Sequence, residues 1–85
     1  MTDHKVALIT GAGRGIGATI ARTLAKEKMD IAIVDYASAE TAEETLQAIA
    51  EEGVSARYYQ CDVSDFAATK AAVDQIVKDF GKVDV

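Results

Sequence analysis

An α/β fold built on a doubly wound parallel sheet is what this sequence predicts, on three observations. Short apolar runs begin near Val6, Ile31 and Arg57, about 25 residues apart. Each run is followed by a longer stretch with apolar residues at helical spacing, and the first ends in a cluster of glycines. Short runs alternating with amphipathic stretches mark βαβ units, whose strands lie parallel because each helix carries the chain back across the sheet.

The first run, Val6 to Thr10, is apolar on both alternating faces, as a strand covered by helices on both sides is. After the glycines, Ile16, Ile20, Ala21 and Leu24 fall on one helical stripe, with Arg22, Lys26 and Lys28 toward solvent and the helix end. The second strand reads Ile31 to Asp35. A second helix is signalled by Thr41-Ala42-Glu43-Glu44, a capping box with Thr41 as cap, followed by Leu46, Ile49 and Ala50, with Gly53 as the stop. Strand three spans Ala56 to Cys61. Ser64 is the expected cap of a third helix carrying Phe66, Val73, Ile76, Val77 and Phe80 on one face and ending at Gly81. Val83 to Val85 reads as a fourth strand cut short, so residues 1–85 are expected to be one portion of a longer domain with the order β-α-β-α-β-α-β.

Composition narrows the function. Apolar residues make up 49% and charged residues 27%, ordinary values for a globular chain. The formal net charge is −5, and no Lys or Arg occurs from Met29 through Ala56, where five glutamates gather. Such a surface repels nucleic-acid phosphates and anionic lipid heads, which argues against both as partners. The single cysteine, Cys61, has no second thiol to pair with and no metal-ligand spacing around it. A reducing, cytoplasmic setting and no metal are expected. The amino terminus lacks the apolar stretch of a signal peptide, and His4 is expected to sit in a mobile terminus.

Chemistry is written in the glycine turn. Thr10-Gly11-Ala12-Gly13-Arg14-Gly15-Ile16-Gly17 follows the pattern T-G-x-x-x-G-x-G, with Ile16 where the commoner G-x-G-x-x-G wants its last glycine. Glycine supplies backbone angles closed to other residues and lets the main chain approach a pyrophosphate, while the helix start offers unpaired N–H groups and the positive end of its dipole. Asp35 ends the second strand 18 residues after Gly17, near the spacing of about 20 at which an acid bonds the adenosine ribose in a Rossmann fold. A carboxylate there accepts from a 2′-hydroxyl and repels a 2′-phosphate, which favours NAD over NADP. Arg14 offers the opposite chemistry, since a guanidinium can meet a 2′-phosphate, so NADP stays possible.

Together, T-G-A-G-R-G-I-G, the Asp35 strand end with Tyr36, Cys61-Asp62-Val63-Ser64-Asp65 and Phe80-Gly81-Lys82-Val83-Asp84-Val85 resemble the short-chain dehydrogenase/reductase family over essentially the whole chain. The resemblance implies cofactor contacts from Thr10, Gly11, Gly13, Arg14, Gly15, Ile16, Gly17, Asp35, Tyr36, Asp62 and Val63. Asp62 would accept from the adenine amine and the Val63 backbone would bond the ring. It also implies hydride transfer between nicotinamide and a carbonyl or secondary alcohol, in a parent that is a homo-oligomer, dimer or tetramer.

Within the family the strongest similarity is to bacterial 3-oxoacyl-acyl-carrier-protein reductases of fatty acid biosynthesis, whose substrate is carrier-bound. Asp35 departs from their usual preference for NADPH and keeps NAD-dependent acetoin or diol dehydrogenases, acting on small molecules, as the alternative. A non-catalytic dinucleotide-binding module is the alternative from another class. The family's catalytic Asn, Ser and Tyr-x-x-x-Lys match no position: Tyr36, Tyr58 and Tyr59 are followed four residues on by Glu40, Asp62 and Val63. No catalytic residue is therefore assigned, and residues 1–85 alone are expected to be inactive.

Overall fold

A computed structural model of the chain describes residues 4–11 and 15–85. Three strands, β1 (Val6–Thr10), β2 (Asp30–Asp35) and β3 (Ala56–Gln60), alternate with α1 (Gly15–Lys26), α2 (Glu43–Ala50) and α3 (Phe66–Phe80), and a 3₁₀ turn at Ala39–Ala42 precedes α2. The strands form one parallel sheet in the order β1-β2-β3, so β2 is paired on both edges. Ile31, Ala32, Ile33 and Val34 are accordingly buried on both faces of the sheet. Among the described residues, no helix is long and apolar enough to cross a membrane.

Side chains of β2 alternate between two cores. Ile31 and Ile33 join Ala7, Ala21, Ala25, Ile49 and Val54 beneath α1 and α2. Ala32 and Val34 join Cys61 and Ile76 beneath α3. Full burial of each isoleucine contributes roughly 1.5–3 kcal/mol, so β2 anchors both helical layers. Cys61 is a small buried apolar group, as its sequence context implies. The Tyr59 hydroxyl and Gln75 Nε2 donate to the two oxygens of Asp79, at 2.6 and 2.9 Å, tying β3 to α3.

Residues 83–85 lie along the other edge of β1. Leu8 N–H donates to the Val85 carbonyl at 2.8 Å and Val85 N–H to the Val6 carbonyl at 3.1 Å, the bond pattern of a parallel ladder. The Asp84 carboxylate accepts the Val6 N–H at 2.8 Å. That bond, with Lys82 beside it, holds the Asp84 carboxyl below the usual range. The fourth apolar run thus extends the sheet where the sequence expects a fourth strand to begin.

Several local expectations are corrected. In α1 the buried stripe is Ala18, Ala21 and Ala25, whereas Ile16 and Ile20 are exposed. Alanines let the helix lie close over Ala7 and the β2 isoleucines, and the bulkier side chains stand off that line. In α3 the packed side is Ala68, Ala72, Ile76 and Phe80, while Phe66, Val73 and Val77 are exposed on a stripe turned by roughly 100°. Thr41 does not cap α2: its hydroxyl donates to the Ser38 carbonyl at 2.6 Å inside the 3₁₀ turn, and the helix starts later with no side-chain cap. Ala50 is exposed, whereas the turn that closes α2 runs on to Gly53, whose φ of 85° makes it the expected stop. The cap of α3 is Asp65, which accepts the Ala68 N–H at 3.0 Å, while the Ser64 hydroxyl turns to Asp62.

His4 is likewise held in place. Its Nδ1 lies 3.1 Å from Oδ1 of Asp30, a carboxylate only 1% exposed that also accepts the Ser55 N–H at 2.8 Å. The Asp30 N–H donates to the Lys5 carbonyl at 2.8 Å. One buried acid therefore gathers the amino-terminal ends of all three strands.

Removing it takes the acceptor from the partly buried Ser55 N–H and leaves the space of a buried side chain, so Asp30→Ala is expected to lower unfolding stability by about 1–3 kcal/mol in urea titrations, with Asp30→Asn losing less. A change below about 0.5 kcal/mol would show that the strand ends hold together without it. Asp65→Ala is expected to lose about 1 kcal/mol in the same measurement and Ser64→Ala clearly less. Equal losses would return the cap to Ser64.

Candidate functional site

A parallel sheet opens a crevice beyond the carboxyl ends of its strands, at the place where the strand order reverses. Here the chain lays β1, β2 and β3 outward in one direction and then returns to the far edge of β1. The reversal falls beside the carboxyl end of β1, which is where the glycines stand.

Register brings the other residues to the same end. Thr10 pairs with Val34 and Asp35 with Gln60. Gly11 N–H donates to the Val34 carbonyl at 2.9 Å and Cys61 N–H to the Asp35 carbonyl at 2.7 Å. Gly11, Asp35 and Asp62 thus follow from the ends of three neighbouring strands, although 51 positions separate the first from the last.

Gly11 and Gly15 take φ values of 67° and 69°, which a side chain disfavours. Among the described residues, no atom lies within 4 Å of a Cβ built on either. Gly15 opens α1, whose first turn carries no acidic residue, and the first N–H groups of a helix lack intrahelical acceptors. An anionic phosphate fits this environment without a lysine. Gly13 and Arg14 lie outside the described residues. Thr10 is exposed at the end of β1, Gly17 is partly buried in the first turn of α1, and Ile16 stands 81% exposed beside the glycines.

The Asp35 carboxylate is curled over its own following backbone, with Oδ1 accepting the Tyr36 N–H at 2.7 Å and, more weakly, the Ala37 N–H at 3.5 Å. Tyr36 is 73% exposed. Asp62 accepts both the hydroxyl and the N–H of Ser64, at 2.6 and 2.9 Å, and those bonds hold its carboxyl below the usual range. It is therefore a carboxylate, an acceptor only, throughout the neutral range. Val63 beside it is half-exposed. This end of the sheet thus offers the glycine backbone at the start of α1 and acceptor oxygens at Asp35 and Asp62.

Two residues of this end escape a reading based on motifs. Tyr58 hydroxyl donates to the Ala37 carbonyl, and Gln60 Nε2 reaches the Tyr36 carbonyl at 3.4 Å. Their signal is period-two alternation: both lie on one face of β3, near its carboxyl end.

Comparison with known proteins agrees with this architecture. Residues 5–85 match the family model of the short chain dehydrogenases. D-threitol dehydrogenase of Mycolicibacterium smegmatis is 42% identical over 83 residues, which are 98% of this chain and 32% of that protein. The 3-oxoacyl-[acyl-carrier-protein] reductase FabG of Staphylococcus aureus is 41% identical over 85 residues, all of this chain and 35% of that protein. A crystal structure of NAD+-bound xylitol dehydrogenase superposes with a TM-score of 0.88 at 45% identity, covering 94% of this chain and 30% of that one. The chain spans about a third of the length of the curated relatives it matches. With residues 5–85 matched by the family model, the chain belongs to the short chain dehydrogenase family.

Proposed function

We propose that residues 1–85 are the dinucleotide-binding portion of an NAD-dependent oxidoreductase acting on a secondary alcohol or carbonyl of a small polyhydroxylated substrate. The observation that carries this reading is the Asp35 carboxylate at the end of β2, pinned by the Tyr36 N–H at 2.7 Å. A fixed carboxylate accepts from the paired hydroxyls of an adenosine ribose and opposes a 2′-phosphate. The similarity to threitol and xylitol dehydrogenases supports a polyol as the substrate class.

The bound nicotinamide would accept or donate the hydride. The backbone at Gly11 and Gly15 and the start of α1 would hold the pyrophosphate. Asp35 would orient the ribose, with the exposed Tyr36 beside it, and Asp62 and Val63 would bracket the adenine. Thr10, Ile16 and Gly17 would line the same seat, and Gly13 and Arg14 belong to the same proposed set. Proton transfer at the substrate would fall to residues outside this chain, since none of its tyrosines has a lysine four positions on.

A second reading, reduction of a carrier-bound 3-oxoacyl group with NADPH, draws support from the 41% identity to the acyl-carrier-protein reductase. Arg14 is the residue that would serve it.

The two readings separate on cofactor. Fluorescence titration should give tighter binding of NADH than of NADPH, and Asp35→Ala should weaken NADH roughly tenfold, the weight of charge-assisted bonds to the ribose, while NADPH loses little. Equal or better binding of NADPH, with the ratio unchanged in Asp35→Ala, would overturn the NAD reading. Turnover of polyols with NAD against 3-oxoacyl thioesters with NADPH then decides the substrate class.

A further inference from the structure

We propose that Tyr58 is a positioning residue for cofactor selectivity: its hydroxyl, anchored from β3, fixes the loop behind β2 and through it the direction in which the Asp35 carboxylate faces. The inference rests on the assignment of Asp35 to the adenosine ribose and extends it to a residue that does not itself touch the cofactor.

The Asp35 carboxylate is tied to the backbone that follows it, because its own Oδ1 accepts the Tyr36 N–H at 2.7 Å and, weakly, the Ala37 N–H at 3.5 Å. Wherever that backbone runs, the carboxylate follows. The backbone is in turn held through its carbonyls from the neighbouring strand, Ala37 by the Tyr58 hydroxyl and Tyr36 by Gln60 Nε2 at 3.4 Å. Its far end is closed by Thr41, whose hydroxyl and N–H both donate to the Ser38 carbonyl, at 2.6 and 3.1 Å. Of these holds, only Tyr58 reaches into the core.

Its ring packs against the cluster that contains Ile33 and Ile49, so the hydroxyl is delivered from a fixed base and not from a mobile surface side chain. Gln60, by contrast, is exposed, and its bond is long. Period-two alternation sends Tyr58 to the α2 face and Tyr59 to the α3 face, where Tyr59 is committed to Asp79. The two adjacent tyrosines therefore do different things, and only Tyr58 addresses the loop.

Burial, and then the negative charge of Asp35, push the Tyr58 hydroxyl above its ordinary range. It remains a proton donor across the physiological range, as the bond to a carbonyl requires.

The experiment is a double-mutant cycle on the complete protein, reading Kd for NADH and for NADPH in wild type, Tyr58→Phe, Asp35→Ala and the double variant. Tyr58→Phe keeps the packed ring and removes only the donor. It should raise the NADH Kd roughly threefold to tenfold, the weight of one lost hydrogen bond, and leave the NADPH Kd nearly unchanged, so that the preference for NADH falls. In the Asp35→Ala background the same change should have little further effect, since no carboxylate remains to be aimed.

A loss of stability alone would weaken both cofactors together, so parallel loss, or no loss, in Tyr58→Phe overturns the positioning role. Additive effects in the double variant overturn it too, because Tyr58 would then act elsewhere. If Asp35→Ala itself leaves the NADH:NADPH ratio unchanged, the ribose assignment falls, and the positioning role with it. Gln60→Leu gives an independent check, with a smaller shift of the ratio in the same direction expected. A larger shift than that of Tyr58→Phe would move the role from Tyr58 to Gln60.

Discussion

The two-sided backbone ladder of β2 is the constraint on which the rest of the structure depends. Because β1 and β3 both run parallel to it and end nearly level with it, whatever follows each strand emerges at the same edge of the sheet. An antiparallel neighbour would have delivered its following loop to the opposite edge. The parallel arrangement in turn requires crossover helices, and these cover the two faces and bury the apolar residues of β2 on both sides. The gathering of Gly11, Asp35 and Asp62 at one edge and the core are thus two consequences of one pairing.

The two ends of the sheet are treated differently by the same residue type. At the amino end of β2, Asp30 is buried and its carboxylate is consumed in gathering the strand starts. At the carboxyl end, Asp35 is only partly buried, and its backbone bonds orient it without enclosing it. A buried acid bonded on several sides stabilises and rigidifies, whereas an oriented, accessible one recognises. Six residues of strand thus carry a buried anchor at one end and an oriented, accessible carboxylate at the other.

Strand positions, the left-handed backbone at Gly11 and Gly15, and Asp35 as the end of β2 were legible in the sequence because each leaves a local mark: an apolar run, a glycine, an acid where the run stops. Helix orientation was less so. Hydrophobicity ranks Ile16 and Ile20 above Ala18 and Ala25, yet close packing on a sheet that carries Ala7 selects small residues, and the alanine stripe wins. The same misdirection affects α3, where Phe66 outranks Ala68 in hydrophobicity but stands 83% exposed. His4 and Tyr58 were illegible for another reason, as their partners Asp30 and Ala37 lie 26 and 21 positions away and become neighbours only through strand pairing. Register, which no single segment encodes, decided both.

Charge in the surrounding surface cannot substitute for an aimed carboxylate. The glutamates of α2 are exposed, and between solvated charges more than about 8 Å apart the interaction is largely screened at physiological salt. A diffuse acidic surface therefore discourages anions weakly and without regard to which hydroxyl of a ribose carries a phosphate. Discrimination at a single oxygen needs a group within hydrogen-bond reach of it, held so that the entropy of ordering is already spent before the ligand arrives. The bonds from Tyr36 N–H to Asp35, and from Tyr58 to the loop that carries that N–H, are the means by which this chain holds such a group still.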